Sequence, residues 1–108
     1  MKKLTLLGST GSIGLNTLDV VREFPQQFRI EALSCRSSIE QLAEQIREFQ
    51  PRIVCVDKYE QAGELRHIFP DTEFVCGMKG LMQISTDPGV DLVAVSYTHL
   101  TLPTIYSV

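Results

Sequence analysis

The topology of this chain is set by residues 3–14, which read KLTLLGSTGSIG. Residues 3–7 form a short apolar run typical of a buried strand, and a helical pattern begins soon after it. Between the two lie Gly8, Gly11 and Gly14. Glycine at these places allows, in turn, a tight exit from the strand, a close approach of the backbone to a pyrophosphate, and close packing of helix on sheet. A strand, a glycine loop and a helix in this order predict a dinucleotide-binding turn.

The polar atoms of this loop are suited to an anion. The peptide N–H groups at Thr10 to Ile13 would face phosphate oxygens, helped by the helix dipole and by neighbouring hydroxyl groups. The alternative is a plain strand-to-helix turn, but three glycines at this spacing after the first strand favour phosphate binding. We therefore predict that the cofactor-binding residues of the loop are Thr10, Gly11, Ser12 and Ile13.

Strand and helix patterns alternate along the rest of the chain. Parallel strands need crossover connections, so this alternation predicts a doubly wound, mostly parallel α/β sheet of the Rossmann type, incomplete at its C-terminal end. The predicted strands are residues 3–7, 28–34, 52–56, 73–76 and 91–95, and three helices are predicted between them, over about residues 13–24, 39–49 and 59–69.

Helix ends are predicted from proline and capping residues. The first helix should stop before Pro25 and the third before Pro70. Ser37 with Glu40 matches a capping box for the second helix. Asp57 with Glu60 is the predicted cap of the third.

The segment after the second predicted strand bears on cofactor choice. A site for NAD usually places Asp or Glu here to hold the ribose hydroxyls. This chain has Arg36, Ser37 and Ser38 instead. A guanidinium makes charge-assisted bonds to a 2′-phosphate, and serine hydroxyls at a helix start add donors. The three residues therefore predict NADP over NAD, although an exposed Arg36 and simple helix capping by the serines are the alternatives.

Composition limits the other function classes. The 108 residues carry a formal charge of −3 with dispersed Lys and Arg, which argues against nucleic acid as a partner. The apolar runs are too short for a signal peptide or a membrane span. Cys35, Cys55 and Cys76 lack metal-site spacing and are expected to be reduced thiols of a cytoplasmic protein. His67 is expected to be exposed, and no acid–base, metal or nucleophilic centre is evident.

Residues 6–14, followed by Thr17-Leu18-Asp19-Val20-Val21, closely resemble the N-terminus of the 1-deoxy-D-xylulose 5-phosphate reductoisomerase family. The likeness continues to about residue 95. It implies an enzyme that rearranges a deoxypentulose phosphate and reduces the product with NADPH, on the methylerythritol phosphate route to isoprenoid precursors. It also implies a divalent metal, Mg or Mn, a sugar-phosphate substrate and a homodimer, with the metal and substrate ligands beyond this chain.

The family pattern carries the NADPH role to Thr10, Gly11, Ser12 and Ile13. Many members have Gly-Lys-Asn or Gly-Ser-Asn where this chain has Arg36-Ser37-Ser38, so those three residues are predicted to bind the cofactor with altered contacts. Catalysis by this chain alone is not expected.

Residues 96–108 depart from that pattern. Tyr97 and Leu100 stand where glycines are expected, and only Leu102-Pro103-Thr104 fits. The tail resembles translated sequencing-adapter sequence. We therefore interpret residues 1–95 as a partial NADPH-binding domain and 96–108 as a tail not native to the family.

Two other functions fit the glycine loop. Another NADP reductase, such as a semialdehyde dehydrogenase, would carry a cysteine nucleophile later in its sequence. A non-catalytic NADPH-binding module would have to be stable as this short chain.

Overall fold

The computed structural model describes residues 2–36 and 38–95. Strands and helices alternate throughout this part of the chain. In order, they are β1 (Lys2–Leu7), α1 (Ser12–Glu23), β2 (Phe28–Cys35), α2 (Ile39–Phe49), β3 (Ile53–Val56), α3 (Tyr59–Ile68), β4 (Glu73–Cys76), α4 (Gly77–Ser85) and β5 (Leu92–Val95).

The five strands form one sheet in the order β4-β3-β2-β1-β5. Every pair of neighbouring strands is parallel, with Leu7 opposite Ser34 at the ends of β1 and β2. The chain steps outward from β1 to β4 and then returns to the other side of β1. The strand order therefore reverses at β1, and in open α/β sheets such a switch point is where ligands bind.

Helices cover both faces of the sheet. The larger core packs α1, α2 and α3 against one face, through Leu18, Leu42 and Leu65 among others. The smaller core lies on the opposite face, where Ile84 and Leu81 of α4 meet side chains of the strands. This division confirms the predicted doubly wound α/β fold, and the described sheet is wholly parallel.

The predicted strands are confirmed to within one residue at each end. The three predicted helices are also present, with α1 followed by Phe24 and Pro25 as expected. Helix α4 was not predicted from the sequence. Two of its nine residues are the glycines Gly77 and Gly80. Because glycine is a poor helix former, the local sequence does not indicate a helix here.

The predicted caps were wrong in position. Helix α2 begins at Ile39 with Ser38 as its N-cap, one residue later than a box from Ser37 to Glu40 requires, and Ser37 itself lies outside the described residues. Helix α3 has Lys58 as its N-cap, not Asp57. The Lys58 backbone N–H donates to Oε1 of Gln61 at 3.0 Å, so Gln61 and not Glu60 closes the first turn.

Candidate functional site

The glycine loop leaves β1 at the switch point and is anchored on β2. The backbone N–H groups of Gly8 and Ser9 donate to the carbonyl oxygen of Ser34, at 3.0 and 2.9 Å. The Gly8 N–H also lies 3.1 Å from the Ser34 hydroxyl oxygen, which accepts from it. Ser34 is 1% exposed, so these bonds are shielded from water. The position of the loop is thus fixed relative to the end of β2.

Two glycines are required by the geometry of this turn. Gly8 has φ of 82°, in the left-handed region where a side chain is strained. At Gly14, a Cβ atom would lie 2.3 Å from the carbonyl oxygen of Gly8 and 2.9 Å from two main-chain atoms of Ser9. The first turn of α1 therefore sits directly against the loop, as the sequence predicts for Gly14.

The first turn of α1 has backbone N–H groups that no carbonyl of the helix accepts. Gly11 is the N-cap, in extended conformation, with no side-chain capping bond, and the first turn has no acidic residue. The first backbone bond of the helix runs from the Leu15 N–H to the Gly11 carbonyl at 2.8 Å. The N–H groups of Ser12, Ile13 and Gly14 precede it and have no acceptor within the helix. This is the arrangement that binds phosphate at helix N-termini.

The end of β2 lies beside the loop. The Thr10 hydroxyl oxygen is 3.5 Å from the Cys35 sulfur. The two predicted segments therefore lie together at the carboxyl-terminal edge of the sheet, where β1 and β2 end. Arg36 follows β2 in an exposed bend, and Ser38 is exposed at the start of α2. An open cavity of about 480 Å³ is lined by Ser38, Ile39, Glu40 and Gln41. Polar residues therefore border open space at the start of α2.

Two buried polar residues of this region were not singled out from the sequence. One is Ser34, which holds the loop on β2. The other is Gln45 of α2, which is 4% exposed and donates from Nε2 to the Ser9 carbonyl oxygen at 2.9 Å. Gln45 lies on the apolar stripe of α2, three residues after Leu42, and a polar residue on such a stripe is the signal that could have found it.

The other reactive side chains considered from the sequence are the three cysteines and His67. Cys35 and Cys55 are buried free thiols, and Cys76 is free and half-buried. Burial raises the pKa of Cys55 from 9.0 to about 12, with smaller contributions from Cys76 and Asp57. His67 is exposed, as expected. Residues 2–36 and 38–95 contain no group of three potential metal ligands and no helix long and apolar enough to cross a membrane.

Comparisons with known proteins agree with this fold. The family model described as 1-deoxy-D-xylulose 5-phosphate reductoisomerase matches residues 4–105. That match reaches into residues 96–108, which lie outside the described part, so the origin of the tail stays a prediction. Among relatives of that name, the protein from Shouchella clausii is 44% identical over 99 residues, or 91% of this chain. One from a Thermoanaerobacter species is 40% identical across 100% of this chain.

The solved structures give the same result. A crystal structure of DOX-P reductoisomerase in complex with NADPH, fosmidomycin and magnesium superposes with a TM-score of 0.81 and 34% identity, over 86% of this chain and 24% of that one. The chain spans 26% and 29% of the lengths of the two relatives above. Since the family model matches nearly all of the sequence, the chain belongs to the 1-deoxy-D-xylulose 5-phosphate reductoisomerase family.

Proposed function

We propose that this chain is the NADPH-binding part of a 1-deoxy-D-xylulose 5-phosphate reductoisomerase. The observation that carries the proposal is the N-terminus of α1, where backbone N–H groups without helical acceptors stand at the switch point of the sheet. A related crystal structure, 34% identical to this chain, was solved with NADPH, which makes this cofactor the natural candidate.

The loop would hold the diphosphate of the cofactor. The N–H groups of Ser12 and Ile13 would donate to phosphate oxygens, and the positive end of the α1 dipole would favour the negative charge. The Thr10 hydroxyl is half-buried beside Cys35 and can add a further donor. Gly11 would contribute by its lack of a side chain, because its extended backbone lies at the N-cap where the phosphate must approach.

The segment after β2 would select the phosphorylated cofactor. Arg36 is exposed at the same edge of the sheet, and Ser38 borders the cavity at the start of α2. A guanidinium and hydroxyl groups suit a 2′-phosphate, and the sequence of residues 34–38 contains no Asp or Glu to hold free ribose hydroxyls. Ser37 belongs to this proposal on sequence alone.

The reaction of the whole enzyme is proposed on family grounds. It would convert 1-deoxy-D-xylulose 5-phosphate to 2-C-methyl-D-erythritol 4-phosphate in isoprenoid precursor biosynthesis, in the cytoplasm, as a homodimer with a Mg or Mn ion. NADPH would supply the hydride for the reduction. This chain would bind and orient the cofactor, while the metal and the sugar phosphate would be held by residues beyond it.

The test is nucleotide binding by the 108-residue chain and by Gly11→Val. Gly11 has φ of −80° and ψ of 173°, which valine can adopt, so the variant should fold while its side chain blocks the phosphate. We expect saturable binding that favours NADPH over NADH in the parent chain and loss of binding in Gly11→Val.

The control for this experiment is Gly63→Val. A Cβ atom at Gly63, in α3, would meet nothing within 4 Å. This variant should bind NADPH like the parent chain. A folded parent chain that binds neither nucleotide would contradict the proposal.

A further inference from the structure

We propose that Gln45 is a positioning residue of the glycine loop, which fixes the direction of the Thr10 N–H through the carbonyl of Ser9. This inference rests on the proposed function, because it assigns to Gln45 the geometry of the same nucleotide site. Gln45 comes from α2 and lies 36 residues from Ser9 in the chain. It does not need to touch the cofactor.

The backbone of Ser9 is held from three sides. Its N–H donates to the Ser34 carbonyl of β2 at 2.9 Å, and its carbonyl oxygen accepts from Nε2 of Gln45 at 2.9 Å. On the third side, the position of a Cβ at Gly14 is only 2.9 Å from the Ser9 Cα and carbonyl carbon. Strand β2 and helices α1 and α2 therefore all meet at this residue.

Peptide geometry transmits this constraint to the next residue. The described residues contain no cis peptide bond, and in a planar trans peptide the C=O and the N–H point in opposite directions. The Ser9 carbonyl points to the buried amide of Gln45. The Thr10 N–H belongs to the same peptide plane, so it must point away from Gln45. Rotation of this plane would turn a predicted phosphate donor out of position.

The hydrogen bonding of Gln45 argues against a purely stabilising role. Within the described residues, Oε1 of Gln45 and the hydroxyl of Ser9 are both buried without a hydrogen-bond partner. A buried polar atom left without a partner lowers stability. In the part of the chain that the structure describes, Nε2 of Gln45 donates to the loop carbonyl of Ser9. The structural effect of this bond is thus to orient the peptide between Ser9 and Thr10.

The test compares Gln45→Met with Ile46→Val in the full 108-residue chain. Methionine keeps the length of the side chain and removes the donor to Ser9. Ile46 is the next residue of α2 and is 2% exposed, so its truncation weakens the packing of the same helix without removing that donor. For each variant we would measure the thermal midpoint, the amide hydrogen exchange of Thr10 and Gly11 without nucleotide, and the Kd for NADPH.

We expect Gln45→Met to raise the Kd for NADPH about tenfold, which corresponds to the loss of one hydrogen bond. The amide hydrogens of Thr10 and Gly11 should also exchange faster in Gln45→Met than in Ile46→Val. Equal exchange and equal Kd in the two variants would overturn the positioning role even if the parent chain binds NADPH. A folded parent chain that binds no nucleotide would overturn the proposed function instead. Faster exchange confined to Gln45→Met would, in that case, still support the control of the loop by Gln45.

Discussion

The position of a Cβ atom on Gly14 lies 2.3 Å from the carbonyl oxygen of Gly8. The obstacle is backbone, which cannot rotate aside as a side chain can. Gly14→Ala must therefore push α1 away from the loop, and we expect it to lower the free energy of unfolding by about 3 kcal/mol. Urea unfolding monitored by circular dichroism measures this loss in the free energy of unfolding.

Gly63→Ala is the matched control for that change. Gly63 is an exposed residue of α3, and a Cβ atom there would have open space around it to 4 Å. Alanine is the better helix former, so this variant should gain about 0.5–1 kcal/mol. If Gly14→Ala were as stable as Gly63→Ala, the tight contact between α1 and the loop would be refuted.

Gly80 provides a second packing test, on the opposite face of the sheet. A Cβ at Gly80 would lie 2.9 Å from the Cys55 sulfur and 2.9 Å from a methyl carbon of Val75. We expect a steric cost of about 1–3 kcal/mol in Gly80→Ala, reduced by the helix propensity of alanine. In a Cys55→Ala background the sulfur is gone, so the same substitution should cost about 1 kcal/mol less. Additive effects of the two changes in urea unfolding would contradict this contact.

The buried thiol of Cys55 makes stability depend on pH. Its pKa is about 12 in the folded chain, against an ordinary value of 9.0. Between these values the unfolded state loses the proton that the folded state keeps. The contribution of Cys55 is therefore fully present below pH 9.0 and is lost as the pH rises toward 12. We expect the free energy of unfolding to fall more steeply from about pH 8.5 to about pH 10.5 in the parent chain than in Cys55→Ala.

The other groups that titrate in this range are common to both proteins, so the difference between the two urea-unfolding profiles isolates Cys55. Parallel profiles would show that the thiol is not protected from ionisation.

The sequence predicts this fold well because each strand is a short apolar run and because prolines mark the ends of the first and third predicted helices. The glycine loop is predicted equally well. Gly8 and Gly14 stand where a side chain would be strained or would collide with backbone, and the local motif shows these positions directly. The missed elements depend on tertiary contacts. Helix α4 forms although it contains Gly77 and Gly80, and the close approach of Gly80 to Cys55 becomes visible only when the sheet is assembled.

The candidate site shows the same division. The loop residues follow from a local motif, whereas the hydrogen bond from Gln45 to Ser9 joins α2 to a turn 36 residues earlier. No periodic pattern specifies that pairing. The caps failed for a related reason, because Ser37 and Ser38 are equally good capping residues by type, and which of them caps α2 depends on how the chain leaves β2.

Arg36 is the residue that should separate the two nucleotides. It is exposed in the bend after β2, at the sheet edge where Thr10 meets Cys35. If its guanidinium binds the 2′-phosphate, Arg36→Ala should raise the Kd for NADPH roughly tenfold or more, the value of a hydrogen bond between charged groups. The Kd for NADH, which lacks that phosphate, should change little. Isothermal titration calorimetry of both nucleotides measures the two effects.

Arg47→Ala is the control for Arg36→Ala, because it removes the same charge from the same chain. Arg47 lies in the last turn of α2, with its guanidinium 5.5 Å from the ring centre of Phe69. A charge that acts only through the general field should be screened within about 10 Å at about 0.1 M salt, so Arg47→Ala should leave the preference for NADPH unchanged. If Arg36→Ala weakened the binding of NADPH and NADH equally, Arg36 would support the loop and would not bind the 2′-phosphate. Cofactor selection would then have to come from Ser37, Ser38 and the open space at the start of α2.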